Sequence, residues 1–252
     1  MSNKPIVLIT GASKGIGATT AKLFAKNGFD ICINYLSDRE GAASVAKACK
    51  DLNAKAIIVK ANISKPDEVA EMFLSCDDEL GTLSCLVNNA GIIGSSTLLE
   101  NLQANALADT FQTNVFGTIY CMQEAIKRMS TEHGGQGGAI VNMSSLAATL
   151  GSANEYVHYA ASKGAVETLT IGAGKELAAV GIRVNAVRVG TTDTTIHEAN
   201  GNPDRVKKIA EKTPMGRIAD PIDIAEAALW LASQQSKFVT GTTLTVAGGL
   251  SA

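Results

Sequence analysis

The sequence has no block of like charge, no closely paired cysteines and no apolar run long enough to cross a bilayer. Each absence removes a class of function. Its 22 basic and 24 acidic residues leave a formal net charge of -2, spread along the chain, which offers no handle to nucleic acid or to an anionic membrane surface. Without about 20 consecutive apolar residues, no membrane span is expected. The five cysteines (Cys32, Cys49, Cys76, Cys85, Cys121) are scattered, odd in number and free of any Cys-x-x-Cys pair. They read as small buried apolar groups in a reducing compartment. His133, His158 and His197 stand at no metal-ligand spacing, so no metal site is expected. Met1–Pro5 leads straight into an apolar run, without the pattern of a secretory signal. A cytoplasmic, soluble protein is the expectation. A linker is missing too. The stretch Gly134-Gly135-Gln136-Gly137-Gly138 passes at once into apolar residues and reads as a loop. Residues 1–252 are long enough for one large domain with a substantial core.

What is present is alternation. Strand-like runs at Ile6–Thr10, Asp30–Asn34, Lys55–Lys60, Leu83–Asn88, Ala139–Met143, Arg183–Val189 and Thr243–Val246 alternate with longer amphipathic stretches. Helices are predicted over Ile16–Asn27, closed by Gly28, over Arg39–Leu52, and from Pro66, whose missing N–H is harmless in a first turn. Others are predicted over Leu102–Asn114, Phe116–Met129, Val157–Val180 and Ile222–Ser233. Strand–helix alternation implies right-handed βαβ crossovers. The predicted fold class is α/β, a single-domain, Rossmann-type, doubly wound parallel sheet with helices on both faces. In such sheets ligands bind beyond the carboxyl ends of the strands.

Directly after the first strand comes Thr10-Gly11-Ala12-Ser13-Lys14-Gly15-Ile16-Gly17, with a helix opening inside it. Glycines allow a tight turn and close approach to a pyrophosphate, and the helix N-terminus supplies free N–H groups and a positive dipole end. Glycines alone also serve ordinary turns; the strand–turn–helix setting is what points to a nucleotide. Lys14 precedes Gly15 and no Gly-Lys-Ser/Thr run follows, which disfavours a P-loop. The second strand ends Ile33-Asn34-Tyr35-Leu36-Ser37, with no carboxylate before Asp38 to bond a ribose 2′-hydroxyl. Lys14, with Ser37 or Arg39, is instead placed to face a 2′-phosphate. NADP(H) is favoured, with NAD(H) as the alternative.

Tyr159-Ala160-Ala161-Ser162-Lys163 opens a long helical pattern, and a spacing of four sets Tyr159 and Lys163 on one face. A free phenol titrates near ~10. A neighbouring ammonium is expected to lower that value and tune the phenol for proton exchange. Tyr156 and His158 compete for the role, but only Tyr159 has a lysine one turn later. Ile140-Val141-Asn142-Met143-Ser144-Ser145 ends on two serines at a strand's carboxyl end, where either hydroxyl could hold a substrate oxygen or simply bond the local backbone.

Taken in order, Thr10–Gly17, Asn88-Asn89-Ala90-Gly91, Asn114, the serine segment and Tyr159–Lys163 resemble the classical short-chain dehydrogenase/reductase family over essentially the whole chain. The resemblance implies hydride transfer between NAD(P)(H) and an alcohol or carbonyl, with a catalytic tetrad of Asn114, Ser145, Tyr159 and Lys163. Ser145 would polarise the substrate oxygen and Tyr159 would exchange its proton. Lys163 would lower the tyrosine pKa and bond the nicotinamide ribose, and Asn114 would hold a relay water. The cofactor would lie on Gly11, Ser13, Lys14, Gly15, Ile16 and Gly17, with Tyr35 and Ser37 at the second strand's end. Asn62 would meet the adenine beside Ile63. Asn88, Ala90 and Gly91 would line the adenine-ribose side with Asn89, and Gly190 and Thr192 would complete the set.

The chain also departs from the family pattern. Asn62 replaces the common aspartate, Val189-Gly190 replaces Pro-Gly, and Val246-Ala247-Gly248-Gly249 lacks an aspartate. Ser145 lies fourteen residues before Tyr159 where thirteen is commoner, which keeps Ser144 as a rival. A substrate lid is expected near residues 191–215, especially Thr194–Lys212 with His197, Asn200-Gly201-Asn202 and Pro203. The chain looks closest to members called 3-oxoacyl-carrier-protein reductases and glucose dehydrogenases, and a small polar carbonyl compound or sugar is as good a candidate as an acyl thioester. A homotetramer or homodimer is expected, packed through the Val157–Val180 helix at Gly164, Gly172 and Gly174. A catalytically silent NAD(P)-binding sensor or scaffold is the alternative function on the same fold.

Overall fold

The computed structural model of the chain describes residues 4–193 and 203–250, with side chains for all of these except 203–207. Ile6–Ile9 forms strand β1, and all four residues are buried because helices cover both faces of the sheet. Side chains alternate across a strand. Ile6 and Leu8 enter one core with Met72 and Phe73, while Val7 and Ile9 enter another with Phe24 and Ile224. Burial of one such phenylalanine contributes roughly 2–3 kcal/mol.

The other strands are β2 (Asp30–Tyr35), β3 (Ala56–Lys60), β4 (Cys85–Asn88), β5 (Gly138–Ser145), β6 (Ile182–Val189) and β7 (Thr243–Val246). They make one seven-stranded sheet in the order β3-β2-β1-β4-β5-β6-β7, every pairing parallel. The order reverses between β1 and β4, which opens a crevice at their carboxyl ends. β5 runs through Ser144 and Ser145, two residues beyond its expected end, because both pair with β6.

Helices α1 (Gly15–Lys26), α2 (Arg39–Asp51) and α3 (Pro66–Glu79) follow the first three strands. Pro66 sits in the first turn of α3 as expected, and Asp38 caps α2 by accepting the Gly41 N–H at 2.9 Å. The two helices predicted on either side of residue 115 are one. Helix α4 (Ala104–Phe111) continues through a π-turn, Gln112–Phe116, into α5 (Gly117–Met129). The extra residue in that turn is what sets Asn114 inward, with no solvent exposure. A short helix α6 (Ala147–Leu150) leads to α7 (Val157–Glu176), and α8 (Pro203–Lys212) and α9 (Pro221–Ala232) lie between β6 and β7. No described helix is long and apolar enough to cross a membrane.

Candidate active site

A cleft of about 820 Å³ opens at the carboxyl ends of β1, β4 and β5, the place the sheet order predicts. One wall is the turn between β1 and α1. The Thr10 hydroxyl accepts the N–H groups of Asn89 and Ala90, each at 3.0 Å, and the Asn89 amide donates back to the carbonyls of Thr10 (2.9 Å) and Gly11 (3.0 Å). Gly11 is held at φ +61° and packs so tightly on Ala90 that a β-carbon would lie 2.9 Å from its Cα. At Gly17 a β-carbon would come within 2.5 Å of the Asn89 Nδ2 and 2.7 Å of the Gly11 carbonyl. Beyond this turn, α1 begins without a side-chain cap and without an acidic residue in its first turn. Its free N–H groups and positive end therefore remain available to an anion, as a dinucleotide pyrophosphate needs.

Gly11, Ser13, Lys14, Gly15, Ile16, Gly17, Ser37, Asn62, Ile63, Asn89, Ala90, Gly91, Gly190 and Thr192 all line this cleft. Tyr35 does not. At the end of β2 its side chain turns into the core, 7% exposed, so the expected cofactor contact is replaced by packing. Asn88 is likewise corrected. It is buried and donates to the Asn142 Oδ1 at 2.9 Å instead of reaching the cleft. Asn34, assigned no role from sequence, ties the turn together. Its Oδ1 accepts the Gly11 N–H at 3.1 Å while its amide donates to the Ala61 carbonyl at 3.0 Å. A polar amide inside an otherwise apolar strand was the available signal.

The facing wall carries Ser145, Tyr159 and Lys163. Ser145 lies beside Tyr159, close enough to favour its ionised form, and accepts the Ala147 N–H at 3.2 Å. Ser144 is engaged elsewhere, donating to Glu167 at 2.8 Å, so the geometry separates the two serines that the spacing could not. His158 turns its Nε2 toward Gly94, away from the cleft lining, and Tyr156 lines the cleft without a lysine one turn later.

The Lys163 ammonium donates to the Met143 carbonyl at 2.7 Å and lies 5.8 Å from the centre of the Tyr159 ring. Burial pulls that ammonium down to about 8. For Tyr159, burial raises the phenol above its ordinary range, with the neighbouring Ser145 acting in the opposite sense. This reverses the direction expected from sequence. Burial of the phenol is the larger influence, and the Lys163 ammonium is directed at a backbone carbonyl.

Asn114 stands behind this wall. Its Oδ1 accepts the Ile92 N–H at 2.8 Å, and its amide donates to the Ile92 carbonyl at 2.8 Å and to Ser162 at 3.0 Å. Both amide hydrogens are thus spent on protein. The side chain is a strut between α7 and the loop after β4. Thr192 pairs with Ala219, and Ile209 and Lys212 of α8 line the outer cleft. The remaining lid residues named above, 194–202, lie outside the described residues, as does the Pro203 side chain. All five cysteines are buried, and burial raises Cys49 to about 11 and Cys85 to about 12, so neither is a reactive thiol. Among the described residues no three or more His, Cys, Asp or Glu side chains gather as a metal site would require.

The comparisons with known proteins agree with this geometry. Residues 11–251 match the family described as Enoyl-(Acyl carrier protein) reductase. The chain is 44% identical over 244 residues to "Uncharacterized oxidoreductase YgfF" of Escherichia coli, covering 97% of this chain and 99% of that one. It is 34% identical to a 3-oxoacyl-[acyl-carrier-protein] reductase of Staphylococcus epidermidis, covering 96% and 97%. A short-chain dehydrogenase/reductase mutant of Serratia marcescens superimposes with a TM-score of 0.91 at 28% identity, over 98% of both chains. The chain belongs to the short-chain dehydrogenase/reductase family and is an NAD(P)-dependent oxidoreductase acting on CH–OH and C=O groups.

Proposed function

We propose that this oxidoreductase transfers a proton through Tyr159 to and from the oxygen of a carbonyl or alcohol substrate held by Ser145. The observation that carries the reading is the grouping of Ser145, Tyr159 and Lys163 on the cleft wall opposite an uncapped helix N-terminus. The nicotinamide supplies or accepts the hydride. The α1 N-terminus holds the pyrophosphate, and Lys163 orients the nicotinamide ribose. With its phenol raised by burial, Tyr159 is protonated at neutral pH and is set for the reducing direction. Asn114 acts as a positioning residue through Ile92 and Ser162.

NADP(H) is the preferred cofactor in this reading. Lys14 and Ser37 line the adenosine end, while the Asp38 carboxylate there is occupied in capping α2. The substrate is a small-molecule carbonyl or alcohol, and the protein works in the cytoplasm as a homotetramer or homodimer. Gly164 and Gly172 leave open surface on α7 for self-association, whereas Gly174 is committed to its own chain, where a β-carbon would lie 2.4 Å from the Gly241 nitrogen. The test is a fluorescence titration with NADPH and NADH, followed by NADPH consumption across a carbonyl panel. Tighter NADPH binding with turnover is expected. Tight binding without turnover of any panel member would favour the silent sensor, and tighter NADH binding would overturn the cofactor preference.

A further inference from the structure

A charged cluster lies just behind the proton-transfer wall, outside the residues that touch the reacting groups. In the parallel register of β5 and β6, Ser144 stands opposite Arg188. Both side chains converge on Glu167, one helical turn after Lys163 on α7. One carboxylate oxygen of Glu167 accepts from Ser144 Oγ and Arg188 Nε, both at 2.8 Å, and the other accepts from Arg188 Nη2 at 2.6 Å. The ion pair is fork-like, with side chains only 14% and 21% exposed. Arg188 also reaches Thr245 of β7 at 3.2 Å, and Ser144 lies 3.3 Å from the Lys163 carbonyl. Three strand ends are thus tied to the turn of α7 that carries Lys163.

We propose that Glu167 and Arg188 are positioning residues for the Ser145–Tyr159–Lys163 wall, with Arg188 neutralising a carboxylate that would otherwise bias the charge on Lys163. The inference rests on the proton-transfer reading above. A half-buried ion pair is weak evidence for stability, but removing one partner leaves the other charge uncompensated and only partly solvated. The other charged or titratable groups on the surrounding elements do not duplicate it. Asp109 of α4 is exposed, Arg183 at the far end of β6 donates to the carbonyls of Leu231 and Ser233, and His158 faces Gly94. The π-turn, β5, α6 and β7 contribute no charged side chain.

The signs follow from electrostatics. In Arg188→Met the lone Glu167 carboxylate favours charged Lys163 and disfavours the Tyr159 phenolate, so both titrate at higher pH. In Glu167→Gln the lone Arg188 does the opposite. Each shift is roughly two pH units, the size produced by a unit charge one helical turn away at an effective dielectric of about 20. In the double variant the charges leave together and the midpoint returns to the parent value. The experiment measures tyrosinate ultraviolet absorbance against pH in the parent and the three variants, using Tyr159→Phe in each background to isolate Tyr159, alongside pH–rate profiles. Opposite shifts in the single variants, cancelling in the double, are expected. Shifts of the same sign, or none, overturn the proposal. If a single variant fails to fold, Glu167→Asp keeps the charge and shortens its reach. Several-fold lower kcat with unchanged KM is expected there, and an unchanged kcat overturns the positioning role. Near-normal turnover in Tyr159→Phe would instead overturn the underlying proton-transfer reading, so the two failures are distinct.

Discussion

The two walls of the cleft are built in different ways. On the β1–α1 side the ligand-facing surface is largely backbone, shaped by Gly11 and Gly17 and pinned by Thr10, Asn34 and Asn89. On the β5–α7 side it is made of side chains, Ser145, Tyr159 and Lys163, whose behaviour depends on what packs behind them. A backbone site is specified by where a β-carbon is forbidden. A side-chain site is specified by burial, partners and register, so its parts respond differently to small changes.

The side-chain wall should show the larger effect. Ser145→Ala removes the hydroxyl beside Tyr159 and is expected to lower kcat by about 10²–10³, the usual scale for one lost donor at a reacting oxygen. Ser144→Ala leaves that hydroxyl in place and should lower kcat only a few-fold. Steady-state kinetics of the two variants side by side checks this, and equal losses would erase the distinction between the serines. On the backbone wall, Gly17→Ala sets a β-carbon against the Gly11 carbonyl and the Asn89 amide. Overpacking of this kind costs about 1–3 kcal/mol. NADPH affinity should fall roughly 10- to 100-fold, with the remaining turnover at saturation close to the parent's. An affinity within twofold of the parent would mean that this turn has slack. The smallest effect belongs to the exposed end of the same wall. Lys14→Ala should weaken NADPH several-fold and leave NADH nearly unchanged, narrowing the gap between them; parallel titrations decide it. Equal losses for both cofactors would assign Lys14 to the pyrophosphate instead.

The same contrast explains what was legible in the sequence. Local rules carried the sheet, because Ile6–Ile9 and the other strands are short apolar runs bounded by turn residues, and Pro66 and Gly28 marked helix ends where the structure has them. The glycine turn and the four-residue spacing of Tyr159 and Lys163 are likewise local. The misses are tertiary. Separating Ser144 from Ser145 needs the β5–β6 register that sets Ser144 opposite Arg188. The joining of α4 to α5 depends on a π-turn that places Asn114 against Ile92 and Ser162, contacts 22 and 48 residues away in sequence. The upward shift of Tyr159 was not legible because spacing shows that Lys163 is near, but not that the phenol is buried. Tyr35 follows the strand's alternation into the core, and no turn signal reveals that.

If Tyr159 carries the proton and the glycine-turn wall holds the cofactor, loss of the phenol hydroxyl must separate turnover from binding. Tyr159→Phe tests it most directly, with NADPH affinity measured by fluorescence and turnover by NADPH consumption on a carbonyl that the parent reduces. The account predicts affinity within about threefold of the parent and turnover reduced by about 10²–10⁴, the range for loss of a general acid. Near-normal turnover with intact binding would contradict it and move the proton to another group on that wall.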